Sequence, residues 1–202
     1  MDVLVLASNN AKKLKELAAI LAPLRIRLLA QSDLGVPEAE EPHPTFLENA
    51  LAKARHASRI TGLPALADDS GLCVAALAGA PGVLSARYAG EPSDDARNNE
   101  KLLAALTGVR DRRARFVSLI ALVRHPEDPQ PLIAEGEWRG EILEAPRGSA
   151  GFGYDPLFFD AEMGCASAEL PPEIKNQRSH RGAALAVLRE RLLREIQKER
   201  QG

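Results

Sequence analysis

Leu63-Pro64-Ala65-Leu66-Ala67-Asp68-Asp69-Ser70-Gly71-Leu72-Cys73-Val74-Ala75-Ala76 is the stretch on which the reading of this chain turns. Leu63 to Ala67 reads as a short apolar strand, interrupted early by Pro64. Asp68-Asp69-Ser70-Gly71 reads as a tight turn, and Leu72 to Ala76 as a second strand. A strand end running into a turn is where a rigid element can present a carboxylate to a ligand or a cation. Asp-Asp-Ser-Gly is also ordinary turn chemistry, so its meaning depends on what accompanies it. Three distant polar clusters complement it: Ser8-Asn9-Asn10-Ala11-Lys12-Lys13, Gly151-Phe152-Gly153-Tyr154-Asp155-Pro156 and Ser179-His180-Arg181-Gly182. Carboxylates for a cation, lysines and an arginine for phosphates, and a Gly-rich aromatic loop for a base together outline a nucleotide site.

Outward from this stretch, strands and helices alternate at first. Val3 to Ala7 reads as a buried strand ended by Ser8-Asn9-Asn10. Ala11 to Leu21 follows as a helix with Leu14, Leu17, Ala18 and Leu21 on one stripe. Arg25 to Ala30 is the next strand, and residues 32–44 are a Pro- and acid-rich loop. Thr45-Phe46-Leu47-Glu48 is a capping box, opening a helix that should stop at Gly62-Leu63-Pro64. Residues 79–92 form a long irregular connection. Ser93 is placed as the cap of a helix from Asp94 to Leu106. Arg113 to Val123 and Leu132 to Arg139 read as paired strands, the first apolar enough to be central. A short strand is expected at Leu157 to Phe159, and Ser179 begins a final helix with Leu185, Leu188, Leu192 and Ile196 on its apolar face. The order implies an α/β fold with a mixed central sheet flanked by helices, in one domain over residues 1–202.

With 202 residues, 45% apolar and 27% charged, the chain is long enough to bury a core and ordinary in composition for a globular protein. A net charge of -2 gives no basic field of the kind duplex binding needs, so no nucleic-acid partner is expected and any anion site is local. Met1 to Leu6 lacks a basic n-region and no apolar run approaches the ~20 residues of a membrane span. The expectation is a cytoplasmic protein without a membrane partner. Two cysteines, Cys73 and Cys165, offer neither a disulfide framework nor metal spacing.

Each cluster carries a physical argument and a plainer alternative. Lys12 and Lys13 fall in the first turn of a helix, where the macrodipole disfavours cations by ~0.3–1 kcal/mol. Either they are solvated surface lysines, or a bound polyanion reverses the sign, with helix N-terminal amides, Ser8 and Asn10 adding donors. Arg181 repeats the anomaly behind the cap Ser179, and a guanidinium suits phosphate or a carbonyl edge of a base. Glycines around Phe152 and Tyr154 permit close backbone approach, and an aromatic face stacks on a base for ~1–3 kcal/mol; a packed turn is the alternative. Lys53 lies opposite the apolar face of its helix and reads as solvated. Glu38, Glu40 and Glu41 are either solvated or join Asp69 on a metal. A hard cation such as Mg²⁺ needs only one or two carboxylates besides substrate phosphates.

At these residues the chain resembles the inosine/xanthosine triphosphate pyrophosphatase family, nearly end to end. The resemblance is carried by Ser8 through Lys13, Thr45-Phe46 with Glu48-Asn49-Ala50 and Lys53-Ala54, Ala67 through Leu72, Gly79 through Gly90, Gly151 through Phe158, and Ser179 through Gly182. It implies an elongated fold with two lobes around a nucleotide cleft, usually a homodimer. It also implies hydrolysis of ITP, dITP and XTP to the monophosphate and pyrophosphate with Mg²⁺. Carried over by position, Asp69 is the catalytic carboxylate and a metal ligand, with Glu40 as its partner. Ser8, Asn9, Asn10, Ala11, Lys12, Lys13, Ser70, Phe152, Gly153, Tyr154, Asp155, Lys175, His180 and Arg181 contact substrate, and Lys53 joins Lys13 on the leaving pyrophosphate. Pro42-His43-Pro44 departs from the family's usual Thr-Gly, which leaves the choice between Glu40 and Glu41 open. A pyrophosphatase for another modified nucleotide and a nucleotide sensor without turnover are the rival readings.

Overall fold

The computed structural model describes residues 2–199. Its chain runs through strand β1 (Val3–Leu6), helix α1 (Ala11–Leu21), β2 (Arg27–Ala30), α2 (Phe46–Thr61), β3 (Ala65–Val74), α3 (Asp95–Ala105), β4 (Arg113–Val123), β5 (Leu132–Ile142), β6 (Phe158–Asp160), β7 (Cys165–Ala166), α4 (Pro172–Arg178) and α5 (His180–Glu199). The strands form one seven-stranded sheet in the order β2-β1-β3-β4-β5-β6-β7. It is mixed: β1 pairs in parallel with β2 and β3, whereas β6 pairs antiparallel with β5 and β7.

Two compact units divide the chain, one comprising residues 1–69, 118–136 and 183–202, the other 70–117 and 137–182. In the first unit, strand alternation sorts the core cleanly. Leu4 and Leu6 of β1, Leu66 of β3 and Ile120 and Leu122 of β4 pack with Leu17 and Leu21 of α1 and with Leu185, Leu188 and Leu192 of α5. Val5, Ala7, Ala65, Ala67 and Val123 pack instead with Ala54 and Ala57 of α2. The two faces of β1 and β3 are therefore claimed by different helices, as the strand order β2-β1-β3 requires when both crossovers are right-handed. Helix α2 is bounded as its caps dictate: Thr45 Oγ1 accepts from Glu48 N at 3.2 Å, and Gly62 at φ 70° closes the end. Ile196, expected on the α5 stripe, has a side chain outside the described residues.

Two expectations are corrected. Asp68-Asp69-Ser70-Gly71 is not a turn, because β3 runs unbroken from Ala65 to Val74. Ala65 and Leu66 pair with β1, and farther along, Leu72 N donates to Ser85 Oγ at 2.8 Å and Val74 N to Ala80 O at 3.1 Å. Tertiary hydrogen bonds thus override local turn propensity. The cap of α3 is Asp94, which accepts from Arg97 N at 2.9 Å, whereas the Ser93 hydroxyl donates to Ala86 O. Helix α4, opened by Pro171-Pro172, was not anticipated.

The second unit is centred on Leu72, Leu102, Leu106, Phe116, Trp138, Tyr154, Leu157 and Phe158. Asp160, 1% exposed, anchors the rim of this core. Its Oδ2 accepts from Trp138 Nε1 and Arg178 Nε, both at 2.9 Å, and its Oδ1 from the amides of Glu162 at 2.9 Å and Met163 at 3.2 Å. Burial works against the charge, but these donors hold the Asp160 pKa below the ordinary 3.8. Since the folded value is the lower one, the charge contributes stability above the unfolded value and loses it as pH falls through the folded value. Asp160→Asn should therefore cost about 2–4 kcal/mol near neutrality. Urea melts at descending pH should show the gap between the two proteins narrowing below the ordinary carboxylate pKa; a gap independent of pH would mean that the charge contributes nothing.

Candidate active site

The first cluster lies where β3 continues past the carboxyl end of β1. Crevices at the carboxyl ends of parallel strands, where the order reverses, are the usual ligand sites of such sheets. Adjacent residues of a strand point to opposite faces, so Asp68 follows Leu66 toward α1 and Asp69 follows Ala67 toward α2. Each meets a lysine from its own helix. Lys13 Nζ lies 2.8 Å from Asp68 Oδ2, and Lys53 Nζ lies 3.3 Å from Asp69 Oδ1. Lys53 also reaches Glu41 Oε1 at 2.5 Å and is only 13% exposed, not the solvated residue expected from its helix face.

Asn49, one helical turn before Lys53 and 1% exposed, completes this cluster. Its Nδ2 donates to Asp69 Oδ2 at 3.3 Å and to His43 O at 3.2 Å, while its Oδ1 accepts from His43 N at 3.0 Å. Asn49 thereby fastens the acidic loop to α2 and brings Glu41 to the lysine. Glu40 is exposed on the other side of that choice. Burial pushes the Asp69 carboxyl above its ordinary pKa and the Glu41 charge adds to this, against the opposing pull of Lys53 and Asn49. Burial by itself would lower Lys53, yet Asp69 and Glu41 hold it above the ordinary lysine value. A carboxylate held up in this way is a better proton acceptor near neutrality than a solvated one.

The segment between β1 and α1 is ordered by its own side chains. Ser8 Oγ accepts from Asn10 N at 3.2 Å, and Asn10 Oδ1 accepts from Lys13 N at 3.1 Å. Asn9 is committed elsewhere: its amide donates to Glu38 Oε1 at 2.8 Å and accepts from Gln31 Nε2 at 3.1 Å. Asp68 balances the unfavourable position of Lys13 at the helix start. The side chains of Ala11 and Lys12 lie outside the described residues.

The second cluster belongs to the other unit, where Ser70 begins it as a half-buried residue of β3. Asp155, 4% exposed, accepts from Phe152 N and Ser167 Oγ, each at 2.8 Å, and pairs with Lys175. Gly151, at φ 85°, is required there because a Cβ would stand 2.1 Å from Asp155 Oδ2. Tyr154 is a core residue whose hydroxyl donates to Ser85 O at 2.8 Å; burial raises its pKa. That leaves Phe152, 54% exposed, as the presented aromatic of the loop, with Lys175 Nζ 5.3 Å from its ring centroid. Ser179 caps α5 by accepting from Gly182 N at 3.1 Å, and His180 stacks on Phe116 at 4.9 Å between centroids and 14° between planes. Arg181 follows in the first turn of α5.

The Ham1 family pattern matches residues 4–191. This chain belongs to the Ham1 family. It is 66% identical over 189 residues to the dITP/XTP pyrophosphatase of Aromatoleum aromaticum, covering 94% of this chain and 96% of that one. It is 63% identical to the enzyme of the same name from Nitrosomonas europaea, with 93% of each chain covered. Among solved structures, a HAM1 protein from Coxiella burnetii superposes with a TM-score of 0.93 at 50% identity, covering 96% of this chain and 100% of that one. The nucleoside-triphosphatase or dITP/XTP pyrophosphatase of Mycobacterium abscessus matches with a TM-score of 0.78 at 47% identity, over 92% and 98% of the two chains. No helix among the described residues is long and apolar enough to cross a membrane.

Sequence reasoning gave Asn49 and Asp68 no role of their own in the site and left the choice between Glu40 and Glu41 open. The signal for Asn49 was present in its i,i+4 spacing to Lys53, which puts both on one helix face. Among the described residues no three His, Cys, Asp or Glu side chains converge into a metal cage. The donor set still suits a hard cation, since two carboxylates, Asp69 and Glu41, converge on the single positive charge of Lys53. Lys53→Met would leave the buried Asp69 and the half-buried Glu41 without that charge and should destabilise the protein by about 1–3 kcal/mol. Mg²⁺ should then raise the melting temperature of the variant more than that of the parent. An equal rise in both would mean that the cation does not touch these carboxylates.

Proposed function

We propose that this chain is a dITP/XTP pyrophosphatase that hydrolyses ITP, dITP and XTP to the monophosphate and pyrophosphate and clears them from the nucleotide pool. Residues 1–202 would form one domain and act as a homodimer. The observation that carries the reading is the pair of buried Lys–Asp contacts in β3 just past the carboxyl end of β1, Lys13 with Asp68 and Lys53 with Asp69. Two lysines and three carboxylates, including Glu41, there supply charges for a triphosphate and its cation from two adjacent residues of one strand. The activity of close relatives over nearly the whole chain supports the same conclusion.

Asp69, with Glu41 or Glu40, would hold Mg²⁺, which when bound neutralises phosphate oxygens and acidifies a coordinated water. Asp69 accepts the proton of the water that attacks the α-phosphorus. Lys13 and Lys53 exchange their carboxylate partners for phosphate oxygens and stabilise the leaving pyrophosphate. Ser8, Asn10 and Ser70 line the phosphate path. Phe152 stacks on the purine, Lys175 and Asp155 hold that loop, and His180 and Arg181 approach the base from the start of α5. A 6-oxo purine accepts from a donor where adenine would present another donor, and unpaired buried polar groups can reject a substrate by ~10⁴-fold.

Asp69→Asn should lower turnover of ITP by at least about a hundredfold, the usual contribution of a general base, as read by pyrophosphate release over a panel of ITP, XTP, dITP, GTP and ATP. Unchanged turnover would remove Asp69 from the chemistry, and a panel without any turnover would favour a nucleotide sensor. Arg181→Ala should shrink the ratio of kcat/KM for ITP over ATP, because it deletes the donor only a carbonyl satisfies. An equal fall for both nucleotides would make Arg181 a phosphate ligand instead.

A further inference from the structure

Helix α3 grips the aromatic loop of its own unit by both polar groups of one residue. Asp95, its first residue, accepts from Gly153 N through Oδ2 at 2.7 Å. Asn99, one turn later on the same face, donates from Nδ2 to Gly153 O at 2.9 Å. Gly153 follows the exposed Phe152 and sits at φ 60°, a conformation few other residues adopt.

Neither side chain caps the helix. Asp94 already caps α3, so Asp95 is not the cap. Asparagine is a poor residue for a helix interior, and Asn99 occupies such a position, half-buried. The helix is meanwhile fixed to the preceding segment by other residues. Asn98 Oδ1 accepts from Ala89 N at 2.7 Å and its Nδ2 donates to Ala86 O at 2.9 Å, while Lys101 Nζ donates to Tyr88 O at 2.5 Å. Asp95 and Asn99 thus connect an anchored helix to the residue beside Phe152.

We infer that Asp95 and Asn99 are positioning residues for base recognition, holding the Gly153 peptide so that the Phe152 ring is presented in one orientation before a purine arrives. The inference rests on the reading of Phe152 as the stacking residue. A glycine-flanked loop without these bonds must lose its freedom on each binding event, which weakens affinity without touching the reacting atoms. Asp95→Ala/Asn99→Ala should therefore raise the KM for ITP about tenfold with kcat changed by no more than about twofold. Asp95→Asn keeps an acceptor oxygen and should stay near the parent KM, whereas a role confined to the helix dipole would make it as defective as Asp95→Ala.

Full-length protein with Mg²⁺ is assayed with ITP, beside Phe152→Ala and the triple variant that combines all three changes. A triple variant no worse than Phe152→Ala supports the inference, since the grip acts only through that ring. Raised KM in Phe152→Ala with an unchanged KM in the double variant overturns the inference and leaves stacking intact. Unchanged KM in Phe152→Ala removes the stacking reading and the inference with it. If thermal melts show that the double variant does not fold, Asn99→Ala alone decides, with a rise of about threefold in KM expected and no rise overturning the inference.

Discussion

Two consecutive carboxylates in one strand cannot share a partner, and this constraint organises the first unit. A strand alternates its side chains, so Asp68 and Asp69 face different layers and each must find its positive charge on a different helix. At 4% and 9% exposure neither can rely on water. The lysines therefore come from α1 and α2, on the two faces that β1 also alternates between, with Leu4 and Leu6 on one side and Val5 and Ala7 on the other. The alternation that fills the core also sorts the charges.

Buried ion pairs are weak evidence for stability, because desolvation offsets most of the attraction and apolar replacements often do as well. Two such pairs side by side, with a third carboxylate on Lys53, are an inefficient way to stabilise a sheet. Their chemistry suits a task that the apolar core cannot perform. The second unit follows a different logic. Its candidate residues lie on a loop and a helix start, and Asp155, Gly151 and the face of α3 fix their backbone. Gly182 shows how close that fit is, since a Cβ there would stand 2.0 Å from Asn176 O of α4. A sheet strand carries the aspartates, whereas a pinned loop carries the aromatic and a helix start the arginine.

Much of this was legible in the sequence where the signal is local. The helix over Ala11–Leu21, the Thr45 cap and Gly62 stop of α2, and the apolar centrality of Arg113–Val123 follow from periodicity and capping. Failures arose where a distant partner decides. Asp-Asp-Ser-Gly has turn composition, yet β1 on one stretch and Ser85 on the next keep it extended. Lys53 looked solvated because its helix face is polar, and only the fold brings Asp69 and Glu41 to it. Composition gives no basis for telling Glu41 from Glu40; it is the Asn49–His43 contact that brings Glu41 to Lys53. Helix α4 has seven residues, starts at a proline and carries no apolar period, so no local signal announces it.

The paired lysines also bear on what the site would accept. A lone phosphate or carboxylate reaching Lys13 or Lys53 must displace a carboxylate that then stays buried with no counter-charge, and that loss cancels most of the new attraction. A nucleoside triphosphate arriving with its own divalent cation escapes this balance, because the cation takes the carboxylates as the phosphates take the lysines. Under the proposed reading, the charge arrangement at Asp68 and Asp69 of β3 selects for the metal complex, while Phe152 stacks on any purine and Arg181 discriminates among them. Charge pairing of this kind separates the recognition of a triphosphate from the recognition of its base, so a change in one cluster need not disturb the other.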